Sequence, residues 1–329
     1  MNQKKRALIT GGCGFLGRHF AKYLHKKGWD IVVVDDLSTG LHPKKWPGHL
    51  KVPFTFVKGD MRKYLERHRK KYDLAIHLAA VVGGRAVIEG KPALGAHSLE
   101  LDASFFRWAA KEKPSKIVFM SSSAIYPVNL QGAKGSVALK ESMVDFEATF
   151  PVFGMPDLVY GWSKLSGEFL ASTFAKHYGL NVFCPRPFSG YGEDQELSYP
   201  TPAICNRAVR RENPIVIWGS GKQTRDFIYV DDLIEAIISY LPKLKGYEAM
   251  NLGSGKAHSF GEVAVLAAKY MGYKPKITNL LGKPEGVKQR YANVSKMKKH
   301  YTPKVSFEQG IKRVVEFLRS KHEKNPRVD

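Results

Sequence analysis

Residues 10–17 read Thr10-Gly11-Gly12-Cys13-Gly14-Phe15-Leu16-Gly17, set between an apolar run, RALIT at 6–10, and an amphipathic run, FLGRHFAKYLHKKG at 15–28. The first run has the β-branched character of a strand. The second has the apolar spacing of a helix, ended by Gly28. A further strand, IVVVD at 31–35, completes a βαβ unit. Gly11 permits the tight turn, Gly14 lets backbone amides approach a pyrophosphate, and Gly17 allows close packing of helix on strand, while the helix N-terminus supplies a positive field. Asp35 ends the second strand 18 residues after Gly17, near the spacing at which a carboxylate reaches the adenosine ribose hydroxyls. A carboxylate there repels a ribose phosphate, so NAD is expected in preference to NADP.

Working outward, strand-like runs follow at Phe54–Val57, Asp73–His77, Lys116–Ser121 and Asn181–Pro185. Helical patterns lie between them, notably SFFRWAAKEK (104–113) and GWSKLSGEFLASTFAKHYG (161–179). Strands alternating with helices predict an α/β fold built on a doubly wound parallel (Rossmann) sheet covered on both faces. After Pro185 prolines and glycines become frequent. Strand fragments such as PIVIW (214–218) and NLGSG (251–255) are interleaved there with helical runs such as DDLIEAIISYL (231–241) and FGEVAVLAAKYMG (260–272). This predicts a cofactor domain over 1–185 and a smaller mixed α/β substrate lobe over 186–329, with some segments returning to the first domain. The end, SKHEKNPRVD (320–329), reads as a frayed tail.

The 329 residues are 43% hydrophobic and 25% charged, the balance of a globular chain. The formal net charge of +22 raises the question of a polyanionic partner. The densest basic runs, Arg62 to Lys71 and Lys296 to Lys299, alternate with apolar residues, as in RKYLERHRKKY, and read as wet faces of amphipathic helices. No specific nucleic-acid partner is expected. No stretch of about 18 apolar residues occurs, and MNQKKRALIT lacks an apolar signal core, so a cytoplasmic chain without a membrane partner is expected. Cys13, Cys184 and Cys205 have no ligand spacing and are read as free thiols, with neither disulfide nor metal.

Tyr160-Gly161-Trp162-Ser163-Lys164 places a phenol and an ammonium one helical turn apart on one face. A phenol that titrates near pH 10 is a poor base at neutral pH, but a nearby ammonium and a nicotinium charge favour its phenolate. Such a tyrosine can take a proton from a substrate hydroxyl while hydride leaves the same carbon, and the lysine stem is long enough to reach the nicotinamide ribose. Ser121-Ser122-Ser123 follows the apolar strand IVFM, at the strand end where doubly wound sheets place ligands. Asp60 and the run His77-Leu78-Ala79-Ala80 fall at further strand ends. His77 itself reads as a packed strand-end histidine without chemistry.

The blocks TGGCGFLG, DDLSTG, GDM, HLAA, SSSAIYP, YGWSK, PRPFSGYG, WGSGKQTRDFIYVDDL and NLGSG occur in one order from residue 10 to residue 255. In that order the chain resembles the NAD-dependent epimerase/dehydratase family, the extended branch of the short-chain dehydrogenases. The resemblance implies Ser122, Tyr160 and Lys164 as the catalytic group. It implies Gly11, Gly14, Phe15, Leu16, Gly17, Asp35, Asp36, Ser38, Asp60, Met61, Leu78, Ala79 and Ala80, with Tyr160 and Lys164, as the cofactor site. On the substrate side it implies Val82, Ser123, Ser189 and Arg225. Arg225 resembles an arginine that holds a diphosphate, for which a bidentate guanidinium is apt. Arg290 is implied as a second, in a segment (KPEGVKQRYAN) that departs from the common pattern. The resemblance also implies a homodimer packed through helices such as SFFRWAA and GEFLASTFA.

In dehydratases and decarboxylases of the family an acid stands two positions before the tyrosine of SSSAIY. Here that position is Ala124, which disfavours elimination. Val82-Gly83-Gly84, Ile125-Tyr126-Pro127 and WGSG (218–221) resemble the subgroup acting on GDP-sugars, yet that subgroup has a cysteine at position 124 and no second acid or base stands out after PRPFSGYG. The expected activity is therefore C4 epimerisation of a UDP- or GDP-linked sugar through a 4-keto intermediate. The alternatives are a GDP-sugar 3,5-epimerase or 4-keto reductase, and a non-catalytic NAD-sensing binding protein, against which the intact Ser122, Tyr160 and Lys164 argue.

Overall fold

The computed structural model describes residues 4–82, 93–132, 135–147, 154–283 and 285–324. Gly83, Gly84 and the last five residues of the expected tail lie outside them. Six strands come first: β1 (Arg6–Thr10), β2 (Asp30–Asp35), β3 (Thr55–Lys58), β4 (Leu74–His77), β5 (Lys116–Phe119) and β6 (Val182–Pro187). All pair in parallel in the spatial order β3-β2-β1-β4-β5-β6, so the chain order reverses between β1 and β4. The helices between them are α1 (Phe15–Lys26), α2 (Met61–Arg67), α3 (Ala93–Glu112) and α4 (Leu158–Tyr178).

Both faces of this sheet are covered, which is why its strands are nearly continuous apolar runs. Alternate residues of each strand point to opposite faces. Ala7, Ile9, Ile31 and Val33 share one core with Phe20 and Leu24 of α1. Leu8, Val32 and Val34 share the other with Phe105, Phe106 and Trp108 of α3 and Ala171 and Ala175 of α4. Phe105 and Phe106 are fully buried, each contributing roughly 1.5–3 kcal/mol. The two helices that carry SFFRWAA and GEFLASTFA pack on each other and on this face of the sheet.

The later residues form β7 (Ser189–Tyr191), α5 (Pro200–Val209), β8 (Ile215–Trp218), β9 (Thr224–Tyr229), α6 (Val230–Tyr240), β10 (Tyr247–Leu252), β11 (Ala257–Ser259), α7 (Phe260–Tyr270), β12 (Ile277–Leu280), β13 (Gln289–Arg290), α8 (Ser295–Lys298) and α9 (Phe307–Lys324). β9 is flanked by β7, β11 and β13, while β8 pairs with β12. The strand of the NLGSG run, read as part of the smaller lobe, instead joins the central sheet. β10 pairs in parallel with β6, Ala249 opposite Cys184, and makes a seventh strand. It satisfies backbone groups that β6 would otherwise leave unpaired at the edge. The DDLIEAIISYL run, as α6, packs on α1.

Two further expectations are corrected. The basic run at 62–72 is not one helix: α2 stops at Arg67, because the chain must return to the sheet, where the Asp73 amide donates to the Arg6 carbonyl at 2.9 Å. Ser320–Lys324 does not fray but continues α9, with Lys321, His322 and Lys324 in the last turn complementing the helix dipole.

One buried ion pair locks α4 to the sheet. Arg186 of β6 places Nη2 2.7 Å from Glu168 Oε2, with 1% and 0% of the two side chains exposed. The Tyr247 hydroxyl donates to the same carboxylate, and Arg186 Nη1 donates to the Tyr126 hydroxyl. Removing one member strands the other charge in the core. Glu168→Ala should therefore cost roughly 3–5 kcal/mol of unfolding free energy by urea titration. A loss below about 1 kcal/mol, the scale of a surface pair, would contradict the role given to this bond.

Candidate active site

The crevice opens where strand order reverses, and the ends of β1, β4 and β5 feed into it. Gly11 has φ +68°, and a Cβ there would lie 2.6 Å from the Ala79 nitrogen, so the turn after β1 touches the segment after β4 directly. At Gly17 a Cβ would collide with the backbone of Gly12, which is what lets α1 lie against the loop. Gly14 caps α1 without any side-chain hydrogen bond. The first-turn amides of Phe15, Leu16 and Gly17 have no acceptor within the helix, as at any helix N-terminus, and present a positive end to the crevice. Leu78 and Ala80 flank Ala79 and are half-buried beside it.

Asp35 does more than its spacing suggested. Its Oδ2 accepts the Cys13 N–H at 2.9 Å and its Oδ1 the Leu37 N–H at 2.8 Å, clamping the glycine loop to the DDLSTG segment. Burial pushes its carboxyl above the usual range, while those two amides pull the other way. A Cβ on Gly40 would lie 2.8 Å from Oδ1. Asp36 is exposed and accepts the Ser38 amide; Ser38 is exposed too. Asp60 caps α2 through the Arg62 amide and pairs with the Arg62 guanidinium at 2.7 Å, whose hydrogen bonds hold it below the usual carboxylate range. Met61 is buried behind it.

Tyr160 and Lys164 stand on the first turns of α4. The helix start is fastened to the serine loop: the Asp157 amide donates to the Ala124 carbonyl at 2.8 Å, and any Cβ on Gly161 would collide with that carbonyl oxygen. Ser122 Oγ accepts the Ala124 amide at 3.1 Å and is half-buried. Ser123 is buried and donates to the Phe188 carbonyl, and Ala124 is 4% exposed. The Lys164 ammonium lies 5.2 Å from the Phe119 ring centroid, on a side chain only 4% exposed. Tyr199, which sequence reasoning passed over, borders this group: burial first and then the Tyr160 phenol push its own phenol up.

On the facing side, Arg290 of β13 and Arg225 of β9 are register partners. Arg225 donates to the carbonyls of Thr224 and Val287. Arg290 bonds Gln131 and pairs with Asp157 at 2.7 Å, one turn from Tyr160. The segment is held by Asp226, a buried carboxylate that accepts amides from Ser254, Gly255 and Ala292 and the Ser254 hydroxyl. Ser189 opens β7, half-buried, and Val82 is 39% exposed at the edge of the described residues.

Sequence reasoning also missed a second buried cluster. Asp194 accepts from Arg18 Nε at 2.7 Å and bonds His19 Nε2 at 2.6 Å, tying the loop after PRPFSGYG to α1 beside the glycines. Burial opposes the charged form of Asp194, and His19 and Arg18 outweigh it and hold the carboxyl below the usual range. Its signal was the charged pair directly after Gly17, inside an otherwise apolar helix face. Among the described residues no three His, Cys, Asp or Glu side chains gather to hold a metal. The three cysteines are buried, and burial pushes the thiols of Cys13 and Cys205 to about 12.

The chain is 30% identical to UDP-glucuronate 4-epimerase of Thermodesulfobacterium geofontis, over 94% of each chain. It is 29% identical to UDP-N-acetyl-alpha-D-glucosaminuronate decarboxylase of Bacillus cytotoxicus, over 96% of this chain and 98% of that one. Its fold matches UDP-glucose 4-epimerase of Thermus thermophilus in complex with NAD at TM-score 0.80, with 24% identity over 95% of this chain and 99% of the other. It also matches UDP-N-acetylglucosamine 4-epimerase from Methanobrevibacter ruminantium at TM-score 0.81, with 24% identity over 97% and 99%. The tight turn that Gly11 and Gly17 permit, where a Cβ would strike the backbone of Ala79 or of Gly12, and the free amides at the start of α1 fit a dinucleotide. Asp35→Ala should weaken NAD binding by about tenfold or more, since hydrogen bonds to a charged group contribute roughly 1.5–3 kcal/mol, and should narrow the preference over NADP in titrations of both. Unchanged affinity and preference would count against Asp35. The model of the NAD dependent epimerase/dehydratase family matches residues 7–253, and the chain belongs to that family.

Proposed function

We propose that the protein is a UDP-sugar 4-epimerase that uses NAD, with Ser122, Tyr160 and Lys164 as its catalytic group. The observation that carries this reading is the seating of Tyr160 and Lys164 on one face of α4, fixed to the Ser122 turn through Gly161 and Ala124. Tyr160 takes the proton of the C4 hydroxyl, and Ser122 orients that oxygen. Lys164 supplies positive charge beside the phenol. NAD, when bound, would supply the hydride-accepting and hydride-donating chemistry at C4. Tyr160 would then return its proton to the C4 oxygen of the sugar, with the configuration at C4 inverted.

Gly11, Gly14, Phe15, Leu16, Gly17, Asp35, Asp36, Ser38, Asp60, Met61, Leu78, Ala79 and Ala80 belong to the cofactor side in this reading. Arg225 and Arg290 take the diphosphate, and Val82, Ser123 and Ser189 border the sugar. The absence of a carboxylate at the buried Ala124 favours epimerisation over the elimination or decarboxylation run by some relatives. The UDP handle is supported by the names of relatives at 29–30% identity, whereas the GDP-L-fucose synthases the chain resembles stand at 24–25%. A homodimer is part of the same proposal: Trp162, Phe169 and Tyr178 on α4 and Leu99 on α3 stay exposed, Phe169 by 52%, although their neighbours pack on the sheet. Three unlinked thiols fit a reducing compartment such as the cytoplasm, and no described helix is long and apolar enough to cross a membrane.

A panel of UDP- and GDP-sugars, with products resolved by stereochemistry, tests the activity. Tyr160→Phe should bind substrate and NAD yet turn over roughly 10²–10⁴ more slowly, and Ser122→Ala should fall less. Substrate deuterated at C4 should keep most of its label at C4. Solvent exchange at C3 or C5 would replace this mechanism with two-centre epimerisation.

A further inference from the structure

His77 and Asp102 lie beneath the candidate site and take no part in the chemistry above. His77 closes β4, Asp102 sits within α3, and each side chain is 1% exposed. His77 Nδ1 is 2.7 Å from the Thr10 hydroxyl and Nε2 is 3.0 Å from Asp102 Oδ1. The ring stacks on Phe105 with centroids 4.3 Å apart. Burial dominates and keeps the imidazole below its usual range although Asp102 pulls it up. A neutral ring carries one proton, and a carboxylate only accepts, so Nε2–H donates to Asp102 and the Thr10 hydroxyl donates to Nδ1.

That leaves Asp102 with a second oxygen. Among the described residues Oδ2 is buried with no hydrogen-bond partner. A buried carboxylate in this state is costly unless a cation faces it. Oδ2 lies 2.8 Å from the point where a Cβ on Gly167 would stand, and Phe119 Cε1 lies 2.9 Å from the same point. Lys164, one turn earlier on α4, holds its ammonium over the face of that phenylalanine ring. Lys164 and Asp102 thus both border the Phe119 ring, and both side chains are buried there, at 4% and 0% exposure.

We propose that Asp102 is the buried counter-charge of Lys164, a positioning residue that fixes where the ammonium stands and, through His77 and Thr10, ties that place to the glycine loop. Its catalytic consequence rests on the epimerase reading; its electrostatic part does not. Gly167 is what makes the arrangement possible, since any side chain there would fill the space into which Oδ2 points.

The test is a four-protein cycle of wild type, Asp102→Asn, Lys164→Met and the double variant. Asparagine keeps the shape and an acceptor for His77 while removing the charge. Asp102→Asn should lower the folding equilibrium constant by about tenfold, within the range over which neighbours in one network couple. In the Lys164→Met background the same change should have no effect or raise it. Should Asp102→Asn fail to fold, recovery of folding in the double variant gives the same result. Equal losses in both backgrounds, or a double variant that also fails to fold, overturn the proposal. In the holoenzyme with its UDP-sugar, Asp102→Asn should lower kcat about tenfold with KM unchanged; a change in KM alone would count against it. Urea unfolding reads the coupling without substrate, so an inactive wild type would sink the epimerase reading and leave this result standing.

Discussion

The helix of residues 158–178 lies so close to the exit of β5 that no side chain fits at 161 or 167, where a Cβ would strike the Ala124 carbonyl and the Phe119 ring. Much of the candidate chemistry follows from that approach. It brings Tyr160 to the serine turn and sets Lys164 over Phe119. The buried bond between Glu168 and Arg186 then fixes the rotation of the helix about its own axis. A helix free to lift by a few tenths of an ångström would loosen the approach of Gly161 and Asp157 to the Ala124 carbonyl, and catalytic geometry tolerates little of that. The glycines thus set the distance and the ion pair sets the angle. Neither does the work of the other.

The same logic joins the two halves of the chain. Asp194 holds α1 through Arg18 and His19, and Arg290 holds the start of α4 through Asp157. Both bonds run from later residues to the two helix starts that frame the crevice. Each is a charged pair with little exposure, so each orients well but adds little net stability once desolvation is counted. Geometry is what such pairs give. The apolar layers on both faces of the sheet supply the folding energy, and the ions decide where the later residues sit on it.

Local spacing made part of this legible. The glycine loop, the acid at the end of β2 and the Tyr160-Lys164 pair each declare themselves within a few residues, because a turn, a strand and a helix face are periodic objects. What spacing did not reveal was non-local. Glu168 with Arg186, Asp102 with His77, and Asp226 with the loops at 254 and 292 are pairings across tens of residues, and nothing in one strand's text names its partner in another. The return of β10 to the sheet is of this kind, since a parallel edge strand reads like any apolar run. The basic stretch at 62–72 misled for the opposite reason: its helical spacing is real as far as Arg67, and then the demand for a strand partner at Arg6 overrides it.

The net charge of +22 divides in the same way. Inside, the buried arginines are matched: Arg186 with Glu168, Arg18 with Asp194, Arg290 with Asp157. The excess is therefore a property of the surface, where lysines are wet and separated, and where a pair adds only about 0–1 kcal/mol. Such a surface does not choose the fold. It raises the local concentration of small anions around the crevice and speeds their arrival in a way that salt screens within roughly 10 Å. A substrate carrying a diphosphate is the kind of ligand on which that field acts. A field of that range acts on approach; at contact distance the separated, screened surface lysines cannot discriminate one anion from another.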